Sequence, residues 1–321
     1  MSMRVLAPGL LTTVQDRGRE GWRHLGVARA GALDAAVAAL ANRLVGNHAN
    51  AATLELTLHG PTLQLLQPTR IALCGAMVAA QFEHAAGQRT TIPGGRPVDL
   101  PEGTLRLGAL HRGARAWLAI AGGIDVAPVL GSRSTDLRGG FGGLDGRVLR
   151  AGDELYFGIS PMIECDAPRF PAWWIDPAMH APDLPIRYVA TGHSMAAALA
   201  RQPWRVSARS NRQGLRLEGD ALPVSTGDGV SAAVAPGTLQ LPPDGQPIVL
   251  LADAQTVGGY PRLGHVIAAD LPRLAQWRPG ETLRFTQCDA QTATRLACEA
   301  HARMARIGLM IDYQHHKGET Q

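Results

Sequence analysis

The sequence predicts a mainly β fold with few helices, divided into two related β-rich domains. Three observations carry that prediction. Apolar residues alternate with a period of two in short runs. Glycine (37 residues) and proline (22) punctuate those runs along the 321-residue chain. And three segments of the first half recur, in the same order, in the second.

The first clear element is helical. In DAAVAALANRLVGN, Val37, Leu40, Ala41 and Leu44 fall at i, i+3, i+4 and i+7, with Asp34 suited to the N-cap and Gly46 to the stop. Thr53 to Leu58 then alternates, placing Leu54, Leu56 and Leu58 on one face of a half-buried strand. Gly60-Pro61 turns the chain, and Leu63 and Leu65 alternate again. LHGPTLQL from Leu58 is echoed by LEGDALPV from Leu217. PEGTLRLGALHRGARAWLAIAGGID from Pro101 is echoed by APGTLQLPPDGQPIVLLADAQTVGG from Ala235, which sets Trp117–Ile120 against Val249–Ala252. LRAGDELYFG from Leu149 is echoed by WRPGETLRFT from Trp277. Between the halves, the proline-dense PRFPAWWIDPAMHAPDLP reads as a linker. Leu296, Ala297, Ala300, Met304 and Ile307 make a second amphipathic helix. The expected domains are 1–175, which includes the first helix, and 183–310, with 311–321 a flexible tail.

Composition excludes several function classes. At 45% hydrophobic and 18% charged the chain reads as globular, and at 5% aromatic its cores are built from Leu, Val, Ile and Ala. No apolar run reaches the length of a membrane span and MSMRVLAPGL lacks the regions of a signal peptide, so a cytoplasmic protein with no membrane role is expected. The net charge of +4 comes from scattered basic residues without interleaved aromatics, which argues against a nucleic-acid partner. Cys74, Cys165, Cys288 and Cys298 form no CxxC pair, and the eleven histidines form no HExxH or HxH motif. Neither a disulfide framework nor a metal site is expected. Lys317 is the one lysine; every other basic residue is arginine. A Walker A loop, a Schiff base and a covalent biotin all need a lysine amine, so none belongs to residues 1–316.

Several motifs have a bland reading beside the functional one. GHSMA (Gly192 to Ala196) follows an apolar strand and precedes a helical stretch, as a nucleophile elbow does. Without an alternating βα pattern around it, Ser194 is read as the cap of a short helix. GGFGGLDG (Gly139 to Gly146) fits no phosphate-binding signature and reads as a long flexible loop near a site. Polar knots are more informative. VQDRGREGWRHLG gathers Gln15, Asp16, Arg17 and Arg19 around Gly18; ARAGALD follows; ARSNRQGLRLEG places Asn211 and Arg212 before a strand. Arginine in such knots offers a planar, permanently charged fork for a carboxylate.

The exit of the strand at Ile248 to Leu251 carries the sharpest signal. Its first-half counterpart ends in Ala-Gly-Gly-Ile, whereas here Asp253, Gln255 and Thr256 follow, then Gly258, Gly259, Tyr260 and Pro261. Polar side chains at the end of a rigid strand, beside glycines that admit a ligand to the backbone, suit a binding site.

These motifs in order (VQDRGREGWRHLGVARAGALD, AGGIDV, GSRSTD, SNRQGLRLEG, PPDGQPIVLLADAQTVGGYPRLGHVIAADLPRLAQ, RPGETLRF) resemble the family of 5-oxoprolinase C subunits. The family is also called allophanate hydrolase subunit 2 or biotin-dependent carboxyltransferase-like. The resemblance runs from about residue 4 to residue 310, with Gln213 standing where the family usually has Met. It implies two tandem cyclophilin-like β-barrel domains. It also implies a complex with two further 5-oxoprolinase subunits, a B subunit in direct contact and an A subunit. That complex uses ATP to convert 5-oxo-L-proline to L-glutamate. The alternatives it carries are a carboxyltransferase module of a urea carboxylase-like, biotin-dependent system, and a non-enzymatic regulator of a kinase inhibitor. Under it, Asp253, Gln255 and Tyr260 are the catalytic candidates, lining one pocket: Asp253 accepting an N–H, Gln255 and Thr256 holding a carbonyl or carboxylate, Tyr260 closing it. Gly258 and Gly259 form its backbone wall. Gln15, Asp16, Arg17, Asn211 and Arg212 are substrate-binding candidates, Arg17 or Arg212 meeting a carboxylate. Alone, the chain is expected to be silent, with a partner interface of at least about 1,600 Å² near the Gly139–Gly146 run.

Overall fold

The computed structural model describes residues 2–84, 87–159, 163–176, 183–224 and 230–319. It is mainly β and divides into two compact units. The first comprises Met1–Gly18, Asp34–Met179 and Met304–Gln321; the second comprises Arg19–Leu33 and His180–Arg303. The polar segment Arg19–Leu33 thus clusters with residues far along the chain, not with its sequence neighbours.

In the first unit an antiparallel sheet runs Leu11–Gln15, Thr53–Thr57, Gly103–Ile120, Thr62–Leu65, Ser2–Ala7, Glu154–Tyr156. The strand Thr69–His84 also pairs with Gly103–Ile120, through two register shifts between Gly75/Met77 and Val78/Ala80. Such bulges bend a strand and raise its twist, which curls the sheet around its own core. Leu54, Leu56, Leu63, Leu65, Leu105 and Leu118 meet inside it. Leu58 does not join them: its φ is +60°, a left-handed turn that takes it out of the strand. Nor is the Thr53–Thr57 strand half-buried, since Thr53 and Glu55 on its other face are also fully buried. The Trp117 indole N–H donates to Glu55 Oε2 at 3.1 Å, which satisfies both polar groups there.

Helix α1 (Ala35–Leu44) forms where its spacing predicts. Asp34 Oδ1 accepts the N–H of Val37 at 3.0 Å, and Gly46 takes φ +79° just past the end. Burial, with a smaller push from Glu55, outweighs the helix N–H groups and drives the Asp34 carboxyl up to about 6. Its folded value lies above the ordinary 3.8, so the stability carried by the protonated form is complete below that pH and lost as pH rises through the folded value. Asp34→Asn keeps the cap and never ionises. Urea midpoints should show it about 2 kcal/mol more stable than wild type at pH 7.5 and level with it at pH 4.

The second unit has an eight-stranded sheet in the order Thr282–Leu283, Trp204–Val206, Gly214–Glu218, Ile248–Leu250, Thr238–Gln240, Arg262–Val266, Ile186–Ala190, Phe285–Gln287. All pairs are antiparallel except Ile186–Ala190 with Phe285–Gln287. Trp204, Tyr188, Leu239, Val249, Leu263 and Phe285 fill its core. The indole of Trp204 donates to Leu199 O (2.9 Å) and the hydroxyl of Tyr188 to Ala196 O (2.6 Å). Strand alternation corrects the internal echo. Val249 points into its core, but Trp117 lies outside the core cluster that holds Leu118. The two segments therefore correspond only after a shift by an odd number of residues, because a one-residue slip exchanges the faces of a strand.

Three further expectations change. The C-terminal helix α2 (Ala290–Glu319) is far longer than the apolar spacing implied and takes in most of the segment read as a flexible tail. Ile311 is fully buried and the His315 ring is 3.0 Å from Arg43 O, so packing holds those turns. Ser194 is exposed and caps nothing; the His193 ring accepts the Met195 N–H instead. And Gly139–Gly146 is a closed knot. The N–H groups of Gly139, Gly140, Gly143 and Gly146 bond to Asp136 Oδ1, Asp136 O, Arg133 O and Gly142 O. Gly146 has φ +66°, and a Cβ there would sit 2.0 Å from the carbonyl carbon of Gly140. Only glycine fits.

Candidate functional site

The strand Ile248–Leu250 runs up to Asp253, as the sequence implies, and its polar exit is occupied by a second predicted residue. Asp253 and Arg212 are 2% and 4% exposed and meet side-on: Arg212 Nε donates to Oδ2 and Nη2 to Oδ1, both at 2.9 Å. Nη2 also donates to Gly31 O at 2.6 Å. Backbone bonds from Leu251 N–H to Gln213 O (2.9 Å) and from Asp253 N–H to Arg212 O (3.1 Å) hold the two segments together. A buried charge survives only when paired and hydrogen-bonded, and this fork meets both conditions. Asn211 lies beside it but is exposed, its Oδ1 accepting the N–H groups of Gln213 and Gly214 in a tight turn.

Beyond Asp253 the chain forms a small ribbon in which Val257–Gly258 pairs with Ala232–Ala233. Thr256 is buried, and its carbonyl accepts the Val234 N–H. Gln255 and the backbone of Gly259 are half-buried, and Tyr260 is 46% exposed.

Two residues the sequence reading did not single out flank the same ribbon. Arg23 donates through Nη2 to Val234 O, while its Nη1 is buried without a hydrogen-bond partner. Burial, and then the nearby Arg29, lower its pKa from the usual arginine value. Gln240 is 1% exposed and its Nε2 is likewise unpartnered; a Cβ at Gly258 would lie 2.5 Å from it. Each buried orphan donor costs about 1–3 kcal/mol. Arg23 lies inside GREGWRHLG, part of the first polar knot, so residue type could have found it. Gln240 left a fainter signal, one amide between Leu239 and Leu241 at the end of the strand Thr238–Gln240.

Gln15, Asp16 and Arg17 belong to the first unit. The Asp16 carboxylate is a hub: Oδ1 accepts from Gly18 N–H (2.8 Å), Ser132 Oγ (2.6 Å) and Ser134 Oγ (2.5 Å), and Oδ2 from Arg133 N–H (2.6 Å). Gln15 is fully buried, donating to Thr13 Oγ1 and Thr135 O, with Oε1 unpartnered. Arg17 is exposed, and its backbone N–H donates to Asn50 Oδ1.

The remaining chemistry of the chain is limited. The N–H groups of Gly139, Gly140, Gly143 and Gly146 bond within the run and to Asp136 and Arg133. Cys74 is buried, which pushes its thiol up to about 12 with a further push from Asp34, and leaves it unreactive. Among the described residues no group of three His, Cys, Asp or Glu side chains is placed to hold a metal ion. No helix among them is long and apolar enough to cross a membrane.

Residues 25–287 match the family model described as carboxyltransferase domain, subdomain A and B. The chain is 40% identical over 297 residues to the C subunit of Escherichia coli 5-oxoprolinase, covering 91% of this chain and 93% of that one. The crystal structure of TTHA0988 superposes with a TM-score of 0.78 at 39% identity; the match covers 89% of this chain and 55% of that one, about half its length. The Kluyveromyces lactis urea carboxylase structure superposes with a TM-score of 0.82 at 29% identity, covering 95% of this chain and 29% of that one. The polar strand exit, the arginine knots and the paired β-rich units therefore have one common explanation: this chain belongs to the carboxyltransferase domain, subdomain A and B, family.

Proposed function

We propose that this chain is the C subunit of a cytoplasmic, ATP-dependent 5-oxoprolinase that acts with subunits A and B to convert 5-oxo-L-proline to L-glutamate. One observation carries the reading: 40% identity to the C subunit of Escherichia coli 5-oxoprolinase across nearly the full length of both chains. The chemistry of the second unit is compatible with it. A lactam is an unreactive amide, and opening it requires an oriented substrate and donors where negative charge develops. The buried Arg212–Asp253 fork stiffens the strand exit on which the ribbon Val257–Gly258 is mounted, and orphan donors border that ribbon.

ATP is used by the complex, and not through a P-loop on this chain. Residues 1–316 contain no lysine, so no P-loop of the usual kind holds its phosphates there. The likeness to the Kluyveromyces lactis urea carboxylase favours a second reading, carboxyl transfer from a biotin carried on another protein. Co-expression with subunits A and B distinguishes them. The purified complex is expected to hydrolyse ATP when 5-oxo-L-proline is added, and not when urea, bicarbonate and a biotinylated carrier replace it. The chain alone is expected to be inactive and to co-elute with the B subunit. Hydrolysis by the single chain would overturn the partner requirement.

A further inference from the structure

Arg23 and Gln240 carry buried donors aimed at nothing in the protein, and they border the same two-stranded ribbon. Arg23 is pinned through Nη2 to Val234 O, which fixes where Nη1 points. Val234 is tied in turn to Thr256, and Gly258 follows two residues later. Gln240 rises from the strand Thr238–Gln240 on the face opposite its core neighbour Leu239, toward Gly258. The absence of a side chain at 258 is what lets Nε2 sit against the ribbon backbone. Folding tolerates such donors where a ligand supplies the acceptors.

We propose that Arg23 and Gln240 form the substrate-positioning pair of the second unit: Arg23 Nη1 receives the carboxylate of the substrate and Gln240 Nε2 its lactam oxygen. The assignment follows from charge. A guanidinium suits a permanent anion, and a neutral amide N–H suits a carbonyl oxygen that gains negative charge only as the amide is attacked. Of the two arginines expected in the first role, Arg212 already serves Asp253 and Gly31 O, and Arg17 belongs to the first unit. The pair rests on the 5-oxoprolinase reading, since that substrate carries both groups.

The test uses the complex assembled with subunits A and B, and compares Arg23→Gln, Arg23→Lys and Gln240→Met with wild type. Arg23→Gln should raise KM for 5-oxo-L-proline at least about tenfold, the scale of one charge-assisted hydrogen bond, with kcat little changed. Arg23→Lys, which keeps the charge, should recover most of that loss. Gln240→Met should lower kcat about a hundredfold, the scale of a lost oxyanion donor. Thermal midpoints separate this from a structural role. Gln240→Met, which removes an orphan donor, should hold or raise Tm, whereas losing a side chain that supports the fold would lower it; Arg23→Gln also gives up the bond to Val234 O, so its KM is read on the folded complex. A fall in Tm with proportional loss of activity, or unchanged KM and kcat in an active complex, overturns the pair. A wild-type complex with no 5-oxoproline-dependent ATP hydrolysis instead overturns the functional reading on which the pair rests.

Discussion

Asp253→Ala is expected to destabilise the chain by about 3–5 kcal/mol, because it strands the Arg212 guanidinium in a site where only 4% of that residue is exposed. Activity of the assembled complex should fall at least about a hundredfold, since the strand exit that carries the ribbon loses its anchor. Residue type alone would have this variant leave the fold intact. The buried arginine reverses that expectation. A double variant, Asp253→Leu with Arg212→Met, separates the two effects. Replacing both charges with apolar groups should return the urea midpoint close to wild type. If activity returns with it, the fork is purely structural; continued loss places the carboxylate in the reaction.

Asp16→Ala should be comparably severe, for a different reason. Four donors converge on one carboxylate, and an alanine leaves the hydroxyls of Ser132 and Ser134 and the amides of Gly18 and Arg133 without their acceptor. A loss of about 4 kcal/mol or more follows even if solvent rescues some of them. Asp16→Asn keeps the shape but presents one acceptor oxygen, so urea unfolding should place it between alanine and wild type. Specific activity of the folded fraction should stay close to wild type in both. A selective rise in KM at full stability would restore Asp16 to the substrate-binding role read from its sequence context.

The elements most legible in the sequence were those with local causes. Helix α1 needed only its apolar spacing, an aspartate cap and a glycine stop, and it begins and ends where those residues put it. The Leu54 to Leu65 alternation located its strands for the same reason, apart from Leu58, whose left-handed backbone no pattern reveals. Glycine content misled at 139–146. The residues that permit a loose loop also permit the tightest turns, and Asp136 and Arg133 decide between them. Among the candidate site residues, the sequence showed Asp253 and Arg212 as polar groups at strand ends, but their mutual use of each other was invisible.

The sequence by itself determined the mainly β class, the family, the lysine-free chemistry and the local caps and turns. Each depends on residue type or on spacing within a few positions. Only the tertiary structure decided which polar groups are already partnered and which still seek an acceptor. Asp253 finds its arginine 41 residues away, Asp16 its serine 118 away, and Arg23 its carbonyl 211 away. Pairings over such separations exist only once the sheets have closed. The same closure buries Gln240 and the Arg23 nitrogen before anything in the protein reaches them.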